Sequence, residues 1–346
     1  MKIAIYGASV SAQTIDHATG AVTGYAEVLR REHMAALGAT EIRQFTYGGN
    51  RASDGGLALL KDVIAYQPDI CLFEPLIEDM TRGTRISEGE IRYIYRRLLK
   101  AGICPVTLML PLPEQGIPDG LPEFFKYCKI CDDHGLPIVR VNVSDVTNIP
   151  AKFNDIHTRH AGARIYADQI VDQLTKLGGL GALWAGMTAP SVTDDMVYVR
   201  RVAGSAARSG SLRRLQMRLV LEKSAKTGIR IVQQQTIGPF SPVLDVAVRG
   251  KPTSASPQWH TLPPAQIRVW DTYCHYPRET FVTMADFHNA GHSVLKLDIT
   301  CSETDPNYDT CRRKVASWPA RNERVMKPIG PITVITQIRL QSAEAI

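Results

Sequence analysis

Short apolar runs alternate with stretches of helical spacing along residues 1–180. Runs at 3–6, 41–45, 70–74, 105–110 and 137–143, bounded by Gly, Pro or Asp, predict five strands. Between them, 24–37, 55–65, 88–101, 121–134 and 161–177 carry apolar residues three and four apart and predict helices, the third with Ser87 as its N-cap. The run at 70–73 is apolar throughout and that at 106–110 is apolar but for Thr107, as befits strands covered on both faces. Strand–helix alternation of this kind predicts a flavodoxin-like, three-layer α/β/α parallel sheet. Sites in such sheets form at the carboxyl ends of the strands.

Beyond residue 180 the period changes. Leu215, Met217, Leu219 and Leu221 alternate with Gln216, Arg218 and Val220, and further strand-like runs fall at 229–236, 243–249, 267–273, 293–300 and 332–338. Turn residues separate them, as in Arg249-Gly250-Lys251-Pro252 and Asp305-Pro306-Asn307. Short strands with such turns predict a β-rich, sandwich-like domain. The expected division is an α/β domain at 1–180, a linker at 181–212 opening on Gly178-Gly179-Leu180-Gly181, and an accessory domain at 213–346.

Charge sharpens that division. Residues 1–180 hold 19 Lys+Arg against 21 Asp+Glu, and residues 181–346 hold 21 against 13, so the halves carry −2 and +8. Six arginines (200, 201, 208, 213, 214 and 218) crowd the start of the second half, without any nucleic-acid-binding motif, and read best as solvation of a β-rich surface. No nucleic-acid partner is expected. No apolar run approaches the ~20 residues of a membrane span, and Met1-Lys2-Ile3-Ala4-Ile5-Tyr6-Gly7 reads as a buried strand rather than a signal segment. A cytoplasmic location is the expectation. Seven cysteines at irregular spacing suggest no disulfide framework, and Cys128-Lys-Ile-Cys131 lacks a second ligand pair, so neither metal nor cofactor is expected.

The candidate chemistry lies where strands end. Gly7-Ala8-Ser9 follows the first strand, so the Ser9 hydroxyl stands at the mouth of the sheet. Gly48-Gly49-Asn50 follows the second strand, Glu78-Asp79 the third, and Asn154-Asp155-Ile156-His157 precedes the last helix. This ordered set resembles the SGNH/GDSL hydrolase family over about residues 1–178. The resemblance makes Ser9 the nucleophile and His157 its base, with the amides of Ser9 and of Gly49, or else Gly48, binding the oxyanion, and Asn50 a candidate to supply the donor that Glu78 cannot unless it is protonated or has another role.

Three positions depart from the family pattern. Ala8 replaces the aspartate of G-D-S. Glu78 stands where an asparagine would donate to the oxyanion, and loss of one such donor costs roughly 10²–10³ in rate in a serine protease. Asn154 replaces the aspartate of D-x-x-H; the equivalent exchange in the trypsin triad costs ~10⁴. The resemblance therefore implies an unusual serine esterase or O-acyltransferase, acting on an acyl ester, most plainly an acetylated carbohydrate or a small ester. The competing expectation is a degenerate relative that binds a glycan or a protein partner without turnover. In the second half, Trp259-His260, Trp270-Asp271-Thr272-Tyr273 and His288-Asn289-Ala290-Gly291-His292 mix groups able to contact sugars, though core aromatics and a polar turn account for them more simply.

Overall fold

The computed structural model describes residues 1–82, 88–114, 121–179, 183, 197–202, 210–222, 226–252, 258–268, 275–311 and 314–346. Ser87, Arg208 and the segment 270–273 lie outside the described residues. The chain divides into two compact units, Met1–Asp194 and Asp195–Ile346.

The first unit is built on a parallel sheet of β1 (Lys2–Gly7), β2 (Glu41–Thr46), β3 (Ile70–Glu74), β4 (Cys104–Met109) and β5 (Ile138–Arg140), in the order β2-β1-β3-β4-β5. That is the flavodoxin-like order, in which the chain winds outward in both directions from β1 and β3. Every residue of β3 and β4 is buried, because helices cover both faces. Ile70 and Leu72 are wholly buried, each contributing about 1.5–3 kcal/mol of apolar transfer.

The helices are α1 (Ser9–Ala12), α2 (Tyr25–Val28), α3 (Leu57–Tyr66), α4 (Leu76–Arg82), α5 (Glu88–Lys100), α6 (Pro122–His134), α7 (Ile149–Lys152) and α8 (His160–Lys176). The helical stretch expected at 24–37 is α2 continued by one wide turn at Leu29–His33. The stretch expected from 55 starts earlier, with a similar turn at Ala52–Gly56 that runs into α3. Cys128 and Cys131 both lie on α6; Cys131 packs its thiol 3.1 Å from Thr107 Oγ1 on β4. Among the described residues no helix is long and apolar enough to cross a membrane.

A two-residue hairpin, β6 (Phe153–Asn154) and β7 (His157–Thr158), sits between α7 and α8. Asp155 turns it in the left-handed region at φ +61°, a conformation that a non-glycine residue adopts at some cost and Asp better than most.

In the second unit, β8 (Tyr198–Val202), β9 (Arg214–Leu221), β10 (Lys226–Ile237), β11 (Val243–Pro252), β12 (His260–Thr261), β13 (Ala265–Arg268), β14 (Arg278–Ala290), β15 (His292–Cys301), β16 (Lys327–Thr336) and β17 (Leu340–Ala345) form two antiparallel sheets. One runs β14-β10-β16-β8, the other β12-β11-β15-β9-β17 with β13 also on β11. Side chains of both sheets, among them Ile229, Met284 and Val334 from one and Met217, Val246 and Leu297 from the other, share one apolar cluster. β9 alternates buried and open positions as its period predicts.

Four strands of this unit, β8, β12, β14 and β17, fall outside the runs that the sequence pattern predicts, and β8 lies in the stretch expected to be linker. β8 falls within 181–212 yet pairs with β16 of the second unit; as an edge strand bearing Arg200 and Arg201 it lacks the apolar run of an interior strand. β14 spans thirteen residues but mixes Arg278, Glu279, Asp286 and His288 into its apolar positions, which masks the period. His288-Asn289-Ala290-Gly291-His292 is the β14–β15 hairpin, with Gly291 at φ +95° and Asn289 Oδ1 accepting from His292 N at 3.0 Å. Arg200 donates to the carbonyls of Leu340 and Gln341, and Arg214 pairs with Asp298.

Candidate active site

The carboxyl ends of β1, β2 and β3 converge where the sheet order reverses, and the residues singled out in the sequence gather there. Ser9 opens α1 directly after β1. The first amides of a helix have no intrahelical acceptor, so the Ser9 N–H stays available. Ser9 Oγ lies 3.1 Å from His157 Nε2 across 148 residues of chain. The same hydroxyl donates to Glu78 Oε1 at 3.4 Å. One hydroxyl proton thus faces two acceptors. Donation to His157 is the arrangement that activates a nucleophile; donation to Glu78 competes with it.

Gly49 holds φ +73°, a backbone state that favours glycine, and its amide donates to no group among the described residues. Next to it, a Cβ on Gly48 would lie 3.6 Å from Ser9 Cα, so the second turn runs against Ser9. Asn50 is buried, with Nδ2 3.5 Å from Gly48 O.

Two buried carboxyls, neither marked by a motif role in the sequence, tie these turns to the sheet. Asp79 Oδ1 accepts from Ala52 N at 3.2 Å, and Tyr127 on α6 donates its hydroxyl to Oδ2. Burial pushes the Asp79 carboxyl well above the usual range. Glu74, at the end of β3, accepts from Ala8 N and from Ser11 Oγ, each at 3.0 Å, so it stands under the position where the family carries its G-D-S aspartate.

His157 is held differently. Gln13, just past α1, donates to Thr158 O and accepts from Thr158 N, both at 2.9 Å. That pair of bonds locks the nucleophile segment to the residue after His157, a link no local motif announces. Burial lowers the His157 pKa, while the charges of Asp155 and Glu78 act in the opposite sense. Asn154 pairs in register with His157 but is exposed, and among the described residues it makes no hydrogen bond to the imidazole. The carboxylate with the larger electrostatic effect on His157 is Asp155, one residue along. His160, on the same loop, is spent on Val22 O at 2.9 Å. Among the described residues no group of three His, Cys, Asp or Glu side chains could hold a metal ion.

No family model matches the chain, and no curated protein matches it in sequence. Solved structures do. Two crystal structures of a two-domain esterase active on acetylated mannans, one co-crystallised with mannopentaose, superpose over 96% of this chain and 90–91% of theirs, with a TM-score of 0.59 at 13% identity. The esterase EstA from Pseudoalteromonas sp. matches 51% of this chain and 97% of its own at 18% identity and a TM-score of 0.40. This chain shares the fold of that two-domain esterase, a parallel α/β unit and an antiparallel β-rich unit in one chain.

Proposed function

We propose that this protein is a serine esterase of the SGNH type that acts on an acyl ester, most simply acetyl, carried by a carbohydrate. The observation that carries this reading is Ser9 Oγ at 3.1 Å from His157 Nε2, at the switch point of the sheet. His157 takes the Ser9 proton as Oγ attacks the carbonyl, then returns it to the leaving sugar hydroxyl. The amides of Ser9 and Gly49, with Asn50 beside them, receive the oxyanion. Water then resolves the acyl-enzyme; a sugar hydroxyl in its place would make the same site an O-acyltransferase. The carbohydrate is favoured because the two-domain protein of like fold acts on acetylated mannans. No cofactor is needed for this chemistry.

Incubation with p-nitrophenyl acetate and with a fluorophosphonate probe tests the proposal. Labelling and turnover are expected in the native protein and absent in Ser9→Ala. An unlabelled Ser9, with equal residual hydrolysis in both proteins, would sink it.

A specific observation favours a second reading, binding without turnover: Glu78 holds the Ser9 hydroxyl, and Asn154 leaves the imidazole unsupported. That reading predicts affinity for an acetylated oligosaccharide with no release of acetate.

A further inference from the structure

Glu74 is wholly buried beneath the nucleophile turn. Its Oε2 takes two donors, the Ala8 N–H that precedes Ser9 and the Ser11 hydroxyl two residues beyond it. Ser11 Oγ in turn lies 2.7 Å from the Tyr25 hydroxyl on α2. The other oxygen, Oε1, is buried and makes no hydrogen bond of regular geometry, although the Ile77 amide faces the carboxyl. A Cβ on Gly7 would come within 2.3 Å of Ser11 Oγ and 2.8 Å of Glu74 Oε2, so the strand end has been cleared to admit this contact.

The ionisable groups that face Glu74 are all acids, so none brings a positive charge. From α4, Glu78 raises its pKa and Asp79 is a second acid nearby; Tyr25, Tyr47 and Tyr166 face it from α2, the turn after β2, and α8. Among the described residues no Lys, Arg or His forms an ion pair with it. A buried carboxylate with no cation is costly, and such a group keeps its proton instead.

We infer that Glu74 is a positioning residue that works as a neutral carboxylic acid, fixing the Ala8–Ser11 turn through one oxygen and keeping its proton on the other. The inference rests on the esterase reading for its effect on rate, but the protonation state has its own readout. Burial pushes Glu74 up to about 8. Above that pH a full negative charge appears 3.0 Å from Ala8 N, beside the amide meant for the oxyanion, and turnover falls. The sign for stability is the same. A carboxyl whose folded pKa exceeds its unfolded value stabilises the fold below the unfolded pKa, and that contribution is lost as pH rises towards about 8.

The experiment compares native protein, Glu74→Gln and Glu74→Leu by kcat and KM for p-nitrophenyl acetate and by thermal melting, from pH about 5 to about 10. Glutamine keeps the acceptor and cannot ionise. It should hold kcat within about threefold of native at neutral pH, abolish the alkaline fall in kcat and flatten the decline of Tm with pH. Leucine, lacking the acceptor, should lower kcat at least about tenfold at every pH with little change in KM. Glu74→Gln that keeps the native alkaline fall in both kcat and Tm overturns the inference; so does Glu74→Gln as inactive as Glu74→Leu at neutral pH. If Glu74→Leu does not fold, Glu74→Gln decides. If none of the proteins hydrolyses the ester, the esterase reading falls and the Tm profile alone decides: a slope lost in Glu74→Gln upholds the neutral acid, and a slope kept overturns it.

Discussion

The two halves of the candidate site are built to different standards. The nucleophile half rests on the sheet: Ser9 follows β1 with no slack, Glu74 fixes the amide before it, and Asp79 with Tyr127 fixes the turn after Gly49. The base half hangs on a short hairpin whose tip, Asn154 and Asp155, is exposed, with Asp155 in the left-handed region and, among the described residues, no hydrogen bond from Asn154 to the imidazole. Thr158 tethers it, through Gln13 and the Thr23 carbonyl. The contrast teaches where departures from a family pattern are tolerable. A substitution at Glu74 or Asp79 disturbs buried polar contacts, whereas Asn154 in the hairpin exchanges one solvated side chain for another.

Four substitutions press on that contrast. Ser9→Ala should remove at least about 10³ of the turnover, measured as p-nitrophenol release, with thermal melting unchanged. Glu78→Gln replaces an acceptor by a possible donor at 3.4 Å from Ser9 Oγ; a gain of about 10–10² in kcat is expected. A loss of activity instead would mean that Glu78 itself draws the Ser9 proton, and the division of labour drawn above would be wrong. Asn154→Asp should raise kcat by no more than about tenfold, because the side chain is solvated. A gain near the ~10⁴ seen for a buried triad aspartate would show that the hairpin closes on its substrate more tightly than the free protein shows.

Asp155→Asn carries the smallest expected effect, and pH reads it best. Burial holds the His157 pKa below its ordinary value, so the acid limb of kcat/KM should lie below about 6.5. Asp155 acts upward on the same group; its removal should shift the limb to still lower pH and reduce kcat by about threefold, through weaker support of the imidazolium. An unmoved limb would leave His157 with no electrostatic help from its own hairpin.

The sequence made the first unit legible because its signals are local. Apolar runs buried on both faces can be only central strands, helical spacing marks the layers around them, and Ser9, Gly49, Glu78 and His157 each sit at a strand or helix boundary that a motif announces. The second unit was legible in period but not in extent. β8 and β14 carry charge into their alternation, and an edge strand or a long hairpin arm needs no unbroken apolar face.

By itself, then, the sequence determined the strand–helix order, the places of Ser9 and His157 beside the ends of those elements, and the residues present at Ala8, Glu78 and Asn154. Only the tertiary structure decided what those residues meet. It put Glu74 beneath Ala8, Gln13 against Thr158, Tyr127 against Asp79, and Glu78 within reach of the Ser9 hydroxyl. These contacts join residues 48 to 145 positions apart. Their energies come from burial and from polar groups meeting across the sheet, quantities that exist only once the chain is closed, and no local pattern encodes them.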